Sequence, residues 1–177
     1  VISITPQQLE KIKAIREIKN FSLIAEEKGI LQNDEIQSAV YLKGVDENHQ
    51  YVAGIKDHLV KGDYELGDAD NPLVLLGAGV ENAVGVQADR NIIPLVIYLP
   101  KKPDASVTDP MKAISGDTIN TAGTFLIQQE FDNKYAITKK AFLKQMLGLP
   151  TDEYSKLEIG ITEKKKKKNV QERLKKI

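Results

Sequence analysis

Near the start of the chain, apolar residues recur at every third position and polar residues fill most of the positions between them. The series consists of Leu9, Ile12, Ile15 and Ile18. It follows Thr5-Pro6-Gln7-Gln8, and a threonine with a proline next to it and a glutamine three positions on marks a capped helix start. We therefore expect an amphipathic helix of about three turns that packs on a sheet.

Beyond this helix, short stretches rich in β-branched and aromatic residues alternate with clusters of Gly, Pro, Asn and Asp. Such stretches are typical of strands, and the clusters between them are typical of turns. The pattern predicts strands over residues 21–31, 36–45, 73–77, 92–99, 119–131, 135–137 and 157–161. Because Pro94 cannot donate a backbone hydrogen bond, we expect the fourth of these strands to be an edge strand or to carry a bulge.

Helical patterns separate several of these strands. They predict a short helix between residues 48 and 59, a second around residues 80–84 that ends at Gly85, and a last one from Val170. Another helix should be capped by Thr138 and end at Gly148, with an apolar face made of Ala141, Phe142, Met146 and Leu147. Helices and strands mixed in this order predict an α+β fold.

The composition is that of a folded protein, with 41% hydrophobic and 28% charged residues in a chain of 177. Basic and acidic residues number 25 each, which argues against a general nucleic-acid binder. The absence of cysteine excludes disulfides, thiolate nucleophiles and zinc–cysteine sites, and no apolar run is long enough for a transmembrane helix. Because the chain begins at Val1 without a signal peptide, we expect it to be a segment of a longer protein.

The segment most similar to a cofactor site is the strand at residues 73–77 together with the Gly77-Ala78-Gly79 that follows. Glycines between a strand and a helix can admit a pyrophosphate group, as in dinucleotide-binding folds. The third glycine of that fingerprint is missing, and the next strand ends in Leu99-Pro100-Lys101 where an acidic residue should bind the ribose. We therefore interpret the glycines as a packing turn and predict no cofactor.

Other polar clusters also favour structural roles. The turn at residues 67–71 has too few oxygen ligands for a calcium loop. His49 and His58 have no clustered carboxylates that would complete a metal site. Glu130 and Asp132, which we expect on one face of a strand, are explained by a polar strand end without acid–base chemistry. No catalytic residue and no metal site is predicted, and an enzyme is disfavoured.

A run of five lysines occupies residues 164–168. Such a run could bind anionic lipid or nucleic acid by charge alone. Because the whole chain is neutral and Glu158 and Glu163 lie nearby in sequence, the interpretation we favour is a solvated loop.

Three segments carry a resemblance to a known family. They are Val-Tyr-Leu-Lys-Gly-Val-Asp at residues 40–46, the strand and helix at residues 74–86, and the Ala-Gly-Thr-Phe strand, turn and helix at residues 122–147. In this order they resemble the extracytoplasmic domain of the MacB/FtsX-like ABC transporter permeases, and most of all the lipoprotein-releasing (Lol-type) permeases. The family usually has Gly-Asp after its second segment, where this chain has Gln87-Ala88-Asp89.

The resemblance implies an α+β domain of two subdomains. A porter-like α/β subdomain would consist of residues 1–45 and 151–177, cut short at its C-terminus, and a smaller sabre-like α/β unit of residues 46–150 would be inserted into it. Such domains lie between the first two transmembrane helices, on the periplasmic side of the cell inner membrane, and perform no catalysis. The implied partners are a cytoplasmic ATPase subunit and a second permease subunit, in a homo- or heterodimer.

The resemblance also implies a partner site in the longest irregular stretch, residues 100–118. In Lol-type relatives the corresponding loop is a protruding hook that engages a soluble periplasmic lipoprotein carrier. Here it holds Pro110, Met111, Ala113 and Ile114 among polar residues, and exposed apolar side chains are what docking requires. These four are the predicted partner-binding residues; the alternative is a hairpin connection that binds nothing.

The function that the resemblance implies is to pass an ATP-driven conformational change to the periplasmic side, for export or release of lipoproteins or related amphiphiles. Two other functions stay open. One is a periplasmic adaptor or ligand-binding module that is not attached to a transporter, which transmembrane helices in the parent protein would exclude. The other is a nucleotide-dependent enzyme that uses Gly77 and Gly79, which measurable binding of NAD would support.

Overall fold

The computed structural model describes residues 1–90, 92–101 and 113–177. Within these ranges the strands are β1 (Ile2–Ser3), β2 (Ile18–Asn33), β3 (Ile36–Val45), β4 (Leu59–Gly62), β5 (Leu73–Gly77), β6 (Leu95–Pro100), β7 (Ile114–Phe125), β8 (Tyr135–Lys139), β9 (Glu153–Tyr154) and β10 (Lys156–Ile161). The helices are α1 (Pro6–Lys13), α2 (His49–Ala53), α3 (Ala78–Val84), α4 (Gln129–Asp132), α5 (Lys140–Leu147) and α6 (Lys167–Leu174). Across these described ranges, we find no helix with the length and apolar character needed to cross a bilayer.

Helix α1 begins as the sequence predicts. The Gln8 N–H donates to Thr5 Oγ1 at 3.3 Å, and the Thr5 N–H donates to Gln8 Oε1 at 2.9 Å, so the capping box is complete. Ile12 and Ile15 are buried. The helix is shorter than expected because Ile18, the last member of the apolar series, opens strand β2 instead of a third turn.

Six strands form a closed ring of hydrogen-bonded neighbours. Strands β2 and β3 form an antiparallel hairpin that turns at Asp34, whose φ is 50°. The ring continues through β8, β5, β7 and β6, and β6 pairs again with β2. Outside the ring, β10 extends β2 and β4 extends β7, while β1 and β9 form a separate pair.

Apolar side chains form two clusters on opposite faces of these strands. Because successive strand residues point to opposite faces, Val74 and Leu76 belong to the larger cluster and Leu75 to the smaller. Helices α3 and α5 close the larger cluster. Both end as predicted at a glycine with left-handed backbone, Gly85 (φ 67°) and Gly148 (φ 64°).

Two strand predictions are wrong in their details. Strand β6 lies between β2 and β7 and is not an edge strand, because Pro94 precedes its first residue and removes no hydrogen bond from the ladder. The strand predicted over residues 119–131 begins earlier, at Ile114, and ends at Phe125. Residues 129–132 form α4, so Glu130 and Asp132 lie on a short helix and not on a strand.

The predicted cap and apolar face of α5 also need correction. Thr138 is the fourth residue of β8, and its hydroxyl donates to the Leu73 carbonyl at 2.8 Å, so it does not cap the helix. Ala141 is exposed, and Leu143 takes its place among the buried residues of the helix. The rest of the predicted face is buried.

The terminal and middle parts of the chain share one sheet. Strands β10, β2 and β3 come from residues 1–45 and 151–177, and β3 pairs in parallel with β8 of the middle part. The division into subdomains at residues 46 and 150 stays a prediction.

Candidate functional site

The predicted partner-binding loop connects strands β6 and β7. The two strands pair antiparallel up to Pro100 opposite Ile114, and the Lys101 N–H then donates to the Ala113 carbonyl at 2.7 Å. The described part of the hairpin is therefore a regular ladder to its last residues. On the β7 side the ladder begins at Ile114, five residues before the start of the strand that the sequence predicts from residue 119.

Two of the four predicted partner-binding residues lie at the end of this ladder. Ala113 is exposed, and 55% of Ile114 is accessible to solvent. Pro110 and Met111 lie outside the described residues. The structure thus brings Ala113 and Ile114 to the surface, side by side at the start of β7.

An open apolar groove of about 350 Å³ lies beside Ile114. It runs over the contact between β2, β3 and the hairpin, and it is lined by Lys28, Gly29, Ile30, Ala39, Tyr98, Leu99, Pro100 and Ile114. Gly29 lets β6 approach closely, since a Cβ there would lie 2.7 Å from the Tyr98 carbonyl oxygen. Exposed Ile30 and Ile114 border the groove, so the surface at this end of the hairpin is apolar.

The Gly77-Ala78-Gly79 segment is a packing turn, as interpreted from the sequence. A Cβ on Gly77 would lie 2.7 Å from the carbonyl carbon of Asp132 and 2.8 Å from its Cα. A Cβ on Gly79 would lie 2.8 Å from the Asn133 Cα. The backbone at the end of α4 therefore fills the space that a pyrophosphate would need.

Most of the other polar residues considered from the sequence make hydrogen bonds within the fold. The buried carboxylate of Asp132 accepts the Ile127 N–H at 2.9 and 3.1 Å, while Glu130 is exposed. Asp68 accepts two backbone N–H groups of its own turn. His58 is exposed, with Nδ1 2.9 Å from the Gly54 carbonyl. Among the described residues, no three His, Cys, Asp or Glu side chains come together as a metal site.

A buried charge network joins the C-terminal strand to the middle of the fold. The Glu158 carboxylate on β10 lies 2.6 Å from Lys43 Nζ on β3 and 3.2 Å from Nε2 of His49 on α2. The Lys43 side chain is 6% exposed, that of His49 is 0% exposed and that of Glu158 is 24% exposed. Lys156, 3.7 Å from Glu158, also pairs with Glu26 on β2 at 2.5 Å.

These contacts control the protonation of Glu158. Burial raises the pKa of its carboxyl, but the hydrogen bonds and charges of His49 and Lys43 outweigh burial and hold the pKa at about 2. The carboxylate is thus ionised throughout the ordinary pH range. The Nδ1 atom of His49 is buried and has no hydrogen-bond partner in the described structure.

A second carboxylate ties α5 to the same region. Asp46 accepts the Ser22 hydroxyl at 2.7 Å and pairs with Lys140 at 2.9 Å. It also accepts the Leu23 N–H at 3.3 Å. Burial raises the pKa of Asp46, while its bonds to Lys140 and Ser22 lower it, with a net decrease. Asp46 therefore connects β2 with α5 through hydrogen bonds and an ion pair, and Glu158 connects β10 with α2.

Two solved structures share this fold. The extracellular domain of the noncanonic ABC-type transporter YknZ from Gram-positive bacteria matches with a TM-score of 0.63 and 11% identity, over 95% of this chain and 78% of that one. The periplasmic region of MacB from Actinobacillus actinomycetemcomitans matches with a TM-score of 0.59 and 14% identity, over 99% and 75% of the two chains. No protein-family model and no curated protein matches the sequence. The expected α+β fold is confirmed, and transporter extracytoplasmic domains have it.

Proposed function

We propose that this chain is the extracytoplasmic domain of an ABC transporter permease. The observation that supports the proposal most strongly is that nearly the whole chain shares its fold with two such domains, at TM-scores of 0.63 and 0.59. The order of the three sequence segments that resemble MacB/FtsX-like permeases supports it independently.

In this role the domain transmits movement and carries out no reaction. ATP is hydrolysed by a separate cytoplasmic ATPase subunit, and a second permease subunit completes the transporter in the inner membrane. The buried network around Glu158 suits the task, because it joins β10, close to the C-terminal end of the chain, to β3 and α2. Movement of the terminal segments would thereby be passed on to α2, in the middle part of the chain, through direct side-chain contacts.

We further propose that the cargo is a lipoprotein or a related amphiphile, and that a soluble carrier docks at the β6–β7 hairpin, as in Lol-type permeases. The supporting observations are the exposed Ile114 and the apolar groove beside it. Pro110, Met111 and Ala113 complete the proposed docking residues.

Replacing Ile114 with Asp should weaken binding of the lipoprotein carrier at least about tenfold, because a charge would replace an apolar anchor. Val60→Asp is the matched control, since Val60 is 54% exposed and lies on β4, which pairs with the opposite end of β7. Binding of the organism's purified carrier is measured by calorimetry. Equal affinities of wild-type protein and Ile114→Asp would disprove docking at this hairpin.

The permease assignment is tested by reading the parent gene on both sides of these 177 residues. We expect one apolar run of about 20 residues before Val1 and about three more after Ile177. If both flanks encode soluble segments only, the permease proposal fails and the periplasmic adaptor replaces it.

A further inference from the structure

The zero net charge of the chain conceals a strong separation of charge. Residues 1–19 and 162–177 contain 12 Lys and Arg residues but only four Asp and Glu, a formal charge of +8. Since the whole chain is neutral, residues 20–161 carry −8. The excess of basic residues and the excess of acidic residues thus lie in different stretches of the chain. The fold determines whether they also lie apart in space.

The fold brings the two basic terminal segments together. Gln8 Nε2 donates to the Ile177 carbonyl at 3.0 Å, and Arg173 pairs with Glu17 at 2.9 Å. The Thr162 N–H donates to the Glu17 carbonyl at 3.0 Å. Residues 1–19 and 162–177 thus lie next to each other, and we call the surface that they share the basic pole.

Most cations of the basic pole face solvent without a neutralising partner. Within the described residues, Lys13, Lys166 and Arg173 form ion pairs, with Glu10, Glu163 and Glu17 respectively. The others are exposed and have no carboxylate within 4.0 Å among the described residues: Lys11, Arg16, Lys19, Lys164, Lys165, Lys167, Lys168, Lys175 and Lys176. The lysine run is not the loop that the sequence favoured, because it forms a 3-10 turn and the start of α6.

We propose that the basic pole binds the anionic headgroups of a phospholipid bilayer. Charges are screened beyond roughly 8 Å in physiological salt, so acidic residues farther than this from the basic pole do not oppose its contact with an anionic surface. Asp152, which accepts the Ser3 hydroxyl at 3.0 Å, lies inside that range. Each lysine close to such a surface raises partitioning roughly fivefold. The direction of approach rests on the proposed function, since a domain between two transmembrane helices has both terminal segments beside the bilayer.

A lipid surface explains the basic pole better than a nucleic acid does. Proteins that bind single strands stack bases on aromatic side chains set among the cations. Residues 1–19 and 162–177 contain no Phe, Tyr or Trp, and Phe21 lies at their border beside Lys13 and Lys19. A cluster of 12 cations with so few aromatic side chains suits phosphate headgroups, whose attraction needs no stacking.

The proposal is tested by sedimentation of the 177-residue chain with vesicles. We expect binding to vesicles of equal parts phosphatidylglycerol and phosphatidylcholine, no binding to phosphatidylcholine alone, and weaker binding as salt rises to about 0.15 M. Absence of binding to the anionic vesicles at low salt would overturn the proposal. Duplex DNA serves as a competitor, and DNA that binds as tightly as the vesicles would make the basic pole a nucleic-acid surface instead.

The variant removes four exposed lysines, Lys164→Gln, Lys165→Gln, Lys167→Gln and Lys168→Gln. Its affinity for the anionic vesicles should fall at least about 25-fold, the effect of two contacting lysines, and arginine at the same positions should restore it. The matched control removes the same charge elsewhere on the surface, with Lys28→Gln, Lys56→Gln, Lys101→Gln and Lys134→Gln, all exposed.

The outcomes separate the basic pole from the permease assignment. Binding that the control loses as much as the variant would show an effect of net charge alone and overturn the proposal. If vesicle binding behaves as expected but the parent gene encodes no transmembrane helix, the permease assignment fails and the basic pole stands. If the parent gene encodes transmembrane helices but the chain does not bind the vesicles, the permease assignment stands and the proposal for the basic pole fails.

Discussion

Replacing Glu158 with Gln should lower the free energy of unfolding by about 3 kcal/mol. The carboxylate is the common partner of Lys43 and His49, whose side chains are 6% and 0% exposed. Removing its charge leaves the Lys43 ammonium buried without a counter-ion, and that penalty is much larger than the value of an exposed ion pair. The quantity is measured by urea unfolding at neutral pH.

The control is Glu163→Gln, which removes one carboxylate from an exposed pair with Lys166. Its effect should stay within about 0.5 kcal/mol. If the two variants lose equal stability, the network around Glu158 does not hold β10 in place, and the proposed transmission of movement through it loses its basis.

The same network predicts how stability depends on pH. The pKa of Glu158 is about 2 in the fold against 4.5 for an ordinary glutamate. Because the folded-state pKa is depressed, the stabilisation is complete above pH 4.5 and is lost as the pH falls toward 2. As the pH falls from 4.5 to 2, the free energy of unfolding of the wild-type protein should decrease. That of Glu158→Gln should decrease by roughly 2 to 4 kcal/mol less. Parallel pH profiles of the two proteins would contradict the assignment.

Gly77→Ala should destabilise the fold by about 2 to 4 kcal/mol. The added Cβ would overlap the Asp132 carbonyl carbon and Cα at 2.7 and 2.8 Å, and these are backbone atoms that no side-chain rotation can move. The added atom should push α4 away from β5. The resulting loss of stability is measured as a lower midpoint of urea unfolding.

Gly160→Ala is the matched control for this prediction, since it is also a strand glycine. A Cβ there would meet its nearest atom, the Asn20 carbonyl oxygen, at 3.6 Å, an ordinary contact. The substitution should change stability by less than about 0.5 kcal/mol. Equal effects at the two positions would contradict the close approach of α4 as the reason for glycine at residue 77, whose backbone is ordinary and extended (φ −62°).

Local signals in the sequence were sufficient for much of the fold. The capping box at Thr5 and the glycines at positions 85 and 148 set the ends of helices through their own backbone geometry, so they are readable without tertiary contacts. The series that ends at Ile18 failed because the spacing of its apolar residues says nothing about where strand pairing takes over. Pairing with β10, in which Ile18 lies opposite Ile161, decides that β2 begins there.

For the segment after Phe125, the sequence pattern predicts a strand where the structure has a turn and helix α4. Leu126 and Ile127 continue a strand-like pattern, yet both are exposed. The Asp132 carboxylate accepts the Ile127 N–H and the chain turns into α4. This turn depends on a contact between side chain and backbone that apolar periodicity does not encode.

The buried charge network could not be predicted from the sequence because Lys43 and Glu158 lie 115 positions apart along the chain. One signal was available. Lys43 and Glu158 are each the single charge of an apolar strand segment, Val-Tyr-Leu-Lys-Gly-Val and Leu-Glu-Ile-Gly-Ile. Opposite charges in two such segments predict a pair if the strands meet, but which strands meet is a property of the fold.

The central claim, that the domain lies outside the cytoplasmic membrane, is tested most directly by labelling. The chain contains no cysteine, so Ile92→Cys, at a position 76% exposed, can be introduced into the full-length parent protein, with the unsubstituted parent as background. Ala88→Cys, at a fully buried position, controls for access. In cells stripped of their wall but not lysed, a membrane-impermeant maleimide should label Ile92→Cys fully and Ala88→Cys only after denaturation. Labelling of Ile92→Cys that appears only after lysis would place the domain in the cytoplasm and contradict the account.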